Sequence, residues 1–225
     1  MDAEPLLNEV EARIIGCLVE KEATTPEYYP LTLNALTAAC NQKSNRYPVV
    51  DLGEKTVVRA LETLREKQLV RMVSGAVMRV PRYYHRFSEH LDLSPAETAV
   101  LAVLLLRGPQ TDGEIRGRSG RMHEFAELAD VEAVLQALAD RPSGALVRRL
   151  PRLTGQKEAR HAHLLCGEPV VPEPEEEHEP RLEPAALEVQ AEDERLARLE
   201  AQVAALRAEL DEMKAVFAAF RRQFE

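Results

Sequence analysis

Apolar residues recur at helical spacing in three successive segments near the start of the chain. The first segment follows Asn8, with Glu11 three positions later, a pair that forms the capping box found at many helix starts. The second begins near Thr32, and the third begins near Asp51 with Glu54 in its first turn. The three apolar stripes are Val10, Ile14, Ile15, Leu18 and Val19; Leu33, Leu36 and Ala39; and Val57, Val58, Leu61 and Leu64. This spacing predicts three helices, each with one face on a core.

The period then changes from helical to extended. Residues 69–73 and 77–80 are short runs rich in Val, Met and Arg, and they flank Ser74 and Gly75. Two such runs around a glycine turn predict a β-hairpin. Three helices followed by a hairpin are typical of the winged-helix variant of the helix-turn-helix domain.

The same order of patterns occurs a second time. The segment from Leu7 to Ile15 returns from Leu93 to Leu101, and Pro30-Leu31-Thr32 returns as Pro109-Gln110-Thr111. In this second copy we expect strands near residues 145–150 and 160–165, and helices that begin near Ser94, Thr111 and Asp130. A repeat of this length is typical of a small duplicated domain.

The predicted fold is mainly α, in the α+β class, with two tandem winged-helix domains over residues 1–90 and 91–167. The alternative is an unrelated α+β domain with a hairpin. The duplication disfavours that alternative, because both copies give the same order of elements.

The last quarter of the chain has a different character. Residues 168–185 are rich in Pro and Glu, which predicts an extended acidic linker. Residues 186–225 carry an apolar heptad pattern, which predicts a C-terminal coiled-coil helix and a homo-oligomer. A single amphipathic helix that folds back or docks on another protein remains the alternative. The candidate oligomerisation residues are Leu196, Leu199, Val203, Leu206, Leu210, Met213, Phe217 and Phe220.

The net charge of −9 lies entirely in this last quarter, because residues 1–90 and 91–167 are each balanced. Three separated cysteines without a C-x-x-C pair indicate neither a disulfide framework nor a zinc finger. The acidic N-terminus lacks a signal sequence, and the apolar run of residues 99–106 is too short to span a membrane. We therefore expect a cytoplasmic protein without a membrane segment.

No nucleotide-binding, nucleophile-elbow or zinc-protease motif occurs in the chain, so we expect no enzymatic activity and no cofactor. His161 and His163 lie in the last predicted strand, and His85 has a comparable position by the first hairpin. None of them has ligand partners at suitable spacing in the sequence, so we expect no metal site. The basic segment of residues 116–121 could hold an anion, although solvated loop charges are the commoner use of such residues. No pattern indicates a pocket for a small-molecule effector.

The leading functional hypothesis is regulatory or architectural binding of double-stranded DNA. In a winged-helix domain the third helix enters the major groove and the hairpin contacts the backbone. The candidate DNA-binding residues of the first domain are Lys43, Arg46, Lys55, Arg59 and Arg79. The third helix of the second domain has no Lys or Arg on its outer face. The alternative is a winged-helix scaffold that binds a protein partner and no DNA.

Three segments carry a family resemblance. The segments are residues 41–49, residues 105–111 with 118–121, and residues 155–160; the first reads Asn41-Gln42-Lys43-Ser44-Asn45-Arg46 with Pro48-Val49. They resemble signatures of the YceH-like bacterial proteins, a family of unknown function, and the resemblance covers residues 5–167. It implies tandem winged-helix domains in a bacterial cytoplasmic protein, and it implies no activity or ligand.

Overall fold

Helix α1 (Glu9–Thr24) begins where the sequence predicts. The Asn8 side chain accepts a hydrogen bond from the Glu11 amide, and the Glu11 carboxylate accepts one from the Asn8 amide, each at 2.9 Å. The computed structural model describes residues 6–75, 78–152, 156 and 158–169, with the side chains of residues 75, 78 and 79 left out. In that part of the chain the fold is mixed α/β, with seven α-helices and two small antiparallel sheets.

The first repeat continues after α1 with a 3-10 turn (Pro26–Tyr28) and a short strand β1 (Leu31–Thr32). Helices α2 (Leu33–Cys40) and α3 (Glu54–Glu66) follow. The hairpin strands are β2 (Val70–Gly75) and β3 (Met78–His85), and the sheet order is β1-β3-β2. Helix α4 (Phe87–His90) then leads into the second repeat.

The second repeat has the same order of helices and hairpin. Its elements are α5 (Pro95–Arg107), α6 (Asp112–Ser119), α7 (Leu128–Ala139), β4 (Val147–Arg149) and β5 (His161–His163). Gln110 forms an antiparallel bridge with His161, as Leu31 of β1 does with Tyr83 of β3. The predicted correspondence of Leu31 with Gln110 is therefore visible in the backbone pairing.

Most of the predicted boundaries are confirmed, and two helix starts were wrong. Thr32, Ser94 and Thr111 each cap a helix with the side chain, as predicted. Helix α3 begins at Glu54 rather than near Asp51, after Gly53, which offers no side-chain cap. Helix α7 begins at Leu128 rather than near Asp130. The sequence pattern also missed β1 and α4, which are only two and four residues long.

The two repeats pack on each other along α1 and α5. Both helices are buried on every side in their middle, from Glu11 to Val19 and from Ala99 to Leu106. Gly16 permits the close approach, because a Cβ there would lie 2.8 Å from Leu106 Cγ. One hydrophobic core therefore runs through both repeats, and the described residues all belong to a single compact unit. The apolar run of α5 is explained by this packing.

The predicted C-terminal helix, with all its candidate oligomerisation residues, lies outside the described residues, and so does the predicted linker beyond residue 169.

Candidate functional site

Three predicted DNA-binding cations lie exposed around the start of α3. Lys55 and Arg59 lie in its first half, one turn apart, and Lys43 lies in the loop between α2 and α3. Within the described residues none of the three forms an ion pair. Their charges are therefore available to an anionic partner.

The second half of α3 is less favourable to an anion. Glu62 and Glu66 are both exposed there, and Arg65 is the one exposed cation between them. The corresponding helix of the second repeat, α7, exposes Glu132 and Gln136, contains no Lys or Arg, and is followed by the exposed Asp140. Positive charge is thus concentrated where α3 begins.

Arg46 does not belong to this exposed set, so the sequence prediction for that residue is corrected. Its side chain is fully buried and forms an ion pair with Glu20 of α1, at 2.5 Å between Nη2 and Oε2. The same guanidinium donates to the carbonyl oxygens of Ala39 and Asn45 and to the amide oxygen of Gln42. A side chain with all these partners holds the loop in place and cannot reach DNA.

The loop between α2 and α3 is held at both ends. The Asn41 side chain accepts a hydrogen bond from the Leu52 amide at 2.8 Å and donates one to the Leu52 carbonyl at 2.9 Å. Asn45 adopts a left-handed conformation, with φ of 61°, and its side chain accepts a hydrogen bond from Arg107 of α5. The Tyr47 amide donates to the Leu106 carbonyl at 2.8 Å. The loop of the first repeat is therefore attached to the second repeat.

Three arginines in or beside the two hairpins have partners within the protein. Arg82 donates to the Pro30 carbonyl, Arg148 pairs with Glu168, and Arg160 pairs with Glu114. Arg71 is exposed on β2. Arg79 lies in β3, but its side chain is outside the described part of the structure.

A basic cleft lies between the repeats and was not predicted as a site. Its volume is about 510 Å³, and we call it the inter-repeat cleft. It is lined by Glu20, Lys21, Thr24, Thr25, Gln42, Lys43, Ser44, Asn45, Val103, Leu106, Arg107, Arg118, Arg121 and Met122. One sequence feature could have pointed to the cleft. Most of its lining comes from two of the family signature segments, which are residues 41–49 and residues 105–111 with 118–121.

A second, more apolar cavity of about 360 Å³ lies between the start of α1, residues 47–52 and the end of β5. Arg13 is buried beside it and donates to the Pro48 carbonyl at 2.6 Å. His163 also lines this cavity, and burial lowers its pKa to about 4. No pattern in the sequence had indicated either cavity.

The strand histidines do not come together as a ligand set. His161 Nδ1 lies 2.8 Å from Asp112 Oδ1, whereas His85 Nε2 lies 2.8 Å from Glu22 Oε2 in the other repeat. Among the described residues no group of three potential ligands could hold a metal ion. In the same residues no helix has the length and apolar character needed to cross a bilayer.

Comparison with known proteins shows the family. The model for "Protein of unknown function, DUF480" matches residues 7–156. A UPF0502 protein of Geobacter sulfurreducens is 58% identical over 222 residues, which cover 99% of this chain and 100% of the relative. UPF0502 proteins of Geotalea uraniireducens and Opitutus terrae are 56% and 52% identical, covering 97% and 90% of this chain and 98% and 84% of the relatives. The chain belongs to the DUF480, or UPF0502, family of bacterial proteins of unknown function, in agreement with its YceH-like signatures.

Proposed function

We propose that each repeat is a winged-helix domain and that the protein binds double-stranded DNA through the first of them. The element order supports the fold, since α1, α2, α3 and the β2–β3 hairpin follow one another and the second repeat repeats the series. In this arrangement α3 is the helix that enters the major groove, and the hairpin is the wing.

The observation that carries the proposal is that Lys43, Lys55 and Arg59 are exposed and form no ion pair among the described residues. Many arginines elsewhere in the described part of the chain are already engaged by carboxylates or carbonyls, for example Arg46 and Arg160. When a basic side chain without an internal partner binds a DNA phosphate, counterions are released from the DNA and no ion pair within the protein has to break. Arg79 stays in the proposed set because of its position in β3.

The proposed binding relies on the phosphate backbone more than on base sequence. Phosphate contacts fix position, and base-edge contacts give specificity. Glu62 and Glu66 oppose a close approach of phosphates along the second half of α3, so few side chains of this helix are left to read bases. We therefore propose an architectural or broadly regulatory role, without catalysis.

Binding of a labelled random-sequence duplex to the full-length chain tests the proposal. Lys55→Gln/Arg59→Gln should weaken the affinity at least tenfold in low salt, because two phosphates are no longer neutralised. The charge-matched pair is Lys55→Gln and Arg65→Gln, each of which removes one exposed charge from α3. Lys55→Gln should weaken the affinity severalfold, and Arg65→Gln, in the other half of the helix, less than twofold. Equal losses in these two single variants would show that only net charge matters.

A protein scaffold is the second candidate function. Tyr47 and Val49 support it, because their side chains are 71% and 55% exposed and Tyr47 also lines the apolar cavity. Exposed aromatic residues of this kind are frequent anchors in protein interfaces. A scaffold predicts no duplex binding at low salt, and loss of a specific partner in Tyr47→Ser/Val49→Ser.

A further inference from the structure

The inter-repeat cleft brings together side chains from elements that are far apart in sequence. Lys21 belongs to α1, Lys43 to the loop before α3, Arg107 to the end of α5, and Arg118 and Arg121 to α6 and the residues after it. The loop after α2 and the residues after α6 occupy corresponding places in the two repeats. Each repeat therefore supplies one wall of the cleft.

The lining is strongly cationic. Five of its described residues are Lys or Arg, and the single carboxylate among them is that of Glu20. That carboxylate is already engaged by the buried guanidinium of Arg46, so it neutralises little of the charge that faces the cleft. Burial, followed by the like charge of Arg118, lowers the pKa of Arg107. The cations are thus held close to one another without enough anions to balance them.

Not all of these cations have a partner within the protein. Arg118 pairs with Glu114 at 3.2 Å, and Lys21 lies 3.8 Å from Glu20. Arg121 and Lys43 are exposed and take part in no ion pair among the described residues. An anion in the cleft would reach charges from both walls.

The rest of the lining suits a small organic phosphate. Gln42, Ser44 and Asn45 offer neutral hydrogen-bonding groups, and Val103 and Leu106 give an apolar floor. A concave site of a few hundred Å³, with polar groups over an apolar surface, has the dimensions of ordinary metabolite sites. Arginine forks match phosphate oxygens geometrically.

We propose that the inter-repeat cleft binds a small molecule that carries a diphosphate group. The described lining of the cleft has five cationic residues and one carboxylate, which is already paired. This charge suits a ligand with several negative charges better than a ligand with one carboxylate. The walls from both repeats and the concave shape favour a compact ligand over a duplex, whose backbone is extended. This site shares Lys43 with the proposed DNA surface but not Lys55 and Arg59, which do not line the cleft.

Titration calorimetry of the full-length chain with sodium pyrophosphate, at physiological ionic strength, tests the proposal. The unsubstituted protein should bind pyrophosphate with a submillimolar dissociation constant. Because the ligand contacts both walls of the cleft, it should also raise the melting temperature of the protein. Arg118→Gln/Arg121→Gln should weaken the affinity at least tenfold. Arg121→Gln alone, which replaces an exposed side chain, should weaken it severalfold and keeps the test valid if the double variant is unstable.

Lys55→Gln/Arg59→Gln is the matched control, because it removes the same charge outside the cleft and should leave pyrophosphate affinity within twofold of the parent. Absence of pyrophosphate binding, or equal weakening in the two double variants, would overturn the proposal. It would also be overturned if Arg118→Gln/Arg121→Gln weakened only duplex DNA binding, since the cleft would then belong to the DNA surface. Failure of Lys55→Gln/Arg59→Gln to affect DNA would contradict the proposed function alone.

Discussion

Replacing Arg46 by Met should destabilise the protein strongly, because this buried side chain donates hydrogen bonds to several acceptor groups around it. The guanidinium donates to both carboxylate oxygens of Glu20, at 3.0 and 2.5 Å. It also donates to Ala39 O at 3.1 Å, Asn45 O at 2.9 Å and Gln42 Oε1 at 3.1 Å. Methionine fills a similar volume and provides none of these hydrogen bonds, so the carboxylate and two carbonyls are left without this donor.

The magnitude follows from the burial of the pair. The side chain of Arg46 is 0% exposed and that of Glu20 is 15% exposed, so the carboxylate left behind is only partly hydrated. Removing one partner of a buried ion pair costs about 3–5 kcal/mol. For a domain of this size, each kcal/mol lowers the melting temperature by about 2–4 °C, which gives a fall of roughly 6–20 °C.

Urea and thermal denaturation of three variants measure this loss. Arg46→Lys keeps the charge with fewer donors, so its stability should lie between those of the parent and Arg46→Met. Adding Glu20→Gln to Arg46→Met should recover part of the loss, because an unpaired charge is no longer buried. DNA affinity measured below the unfolding range should be the same for Arg46→Lys and the parent.

The reasoning is refuted if Arg46→Met unfolds within about 1 kcal/mol of the parent, well short of the buried-pair cost. It is equally refuted if Arg46→Lys loses DNA affinity at unchanged stability. The second result would make Arg46 the DNA contact that the sequence suggested.

Three further predictions concern other parts of the chain. Gly16→Val should cost about 1–3 kcal/mol in urea denaturation by overpacking against Leu106, whereas Gly117→Ala, where a Cβ meets nothing within 4 Å, should not destabilise. The pKa of His163 is lowered to about 4, so the unfolded chain binds the proton more readily and the unfolding free energy should fall between pH 6.5 and 4; His163 accounts for up to about 3 kcal/mol of that fall, and His163→Gln should lose this share. Leu206→Glu should convert the predicted homo-oligomer to monomer in sedimentation velocity, and an unchanged sedimentation coefficient would exclude the helix as the interface.

Sequence patterns predicted the features that depend on neighbouring residues. Asn8 and Ser94 cap their helices through groups three positions away, so the local sequence contains the whole interaction. The exposed positions of Lys55 and Arg59 followed from helical spacing for the same reason. Such local features gave the element order of both repeats.

The features that sequence patterns missed depend on distant contacts. The burial of Arg46 depends on Glu20, which lies 26 positions away and has no local signature. The burial of α1 on every side depends on α5 of the other repeat, so the apolar stripe of α1 indicated only one of its packed faces. The inter-repeat cleft likewise forms only when the two repeats pack together.

The salt dependence of duplex binding tests the central claim most directly. We expect the full-length chain to bind a random-sequence duplex saturably, and the logarithm of its affinity to fall linearly with the logarithm of the salt concentration. Lys55→Gln/Arg59→Gln should make that slope shallower by about two, roughly one for each phosphate that the variant no longer neutralises. No binding at low salt, or an unchanged affinity and slope in this variant, would contradict DNA binding through α3.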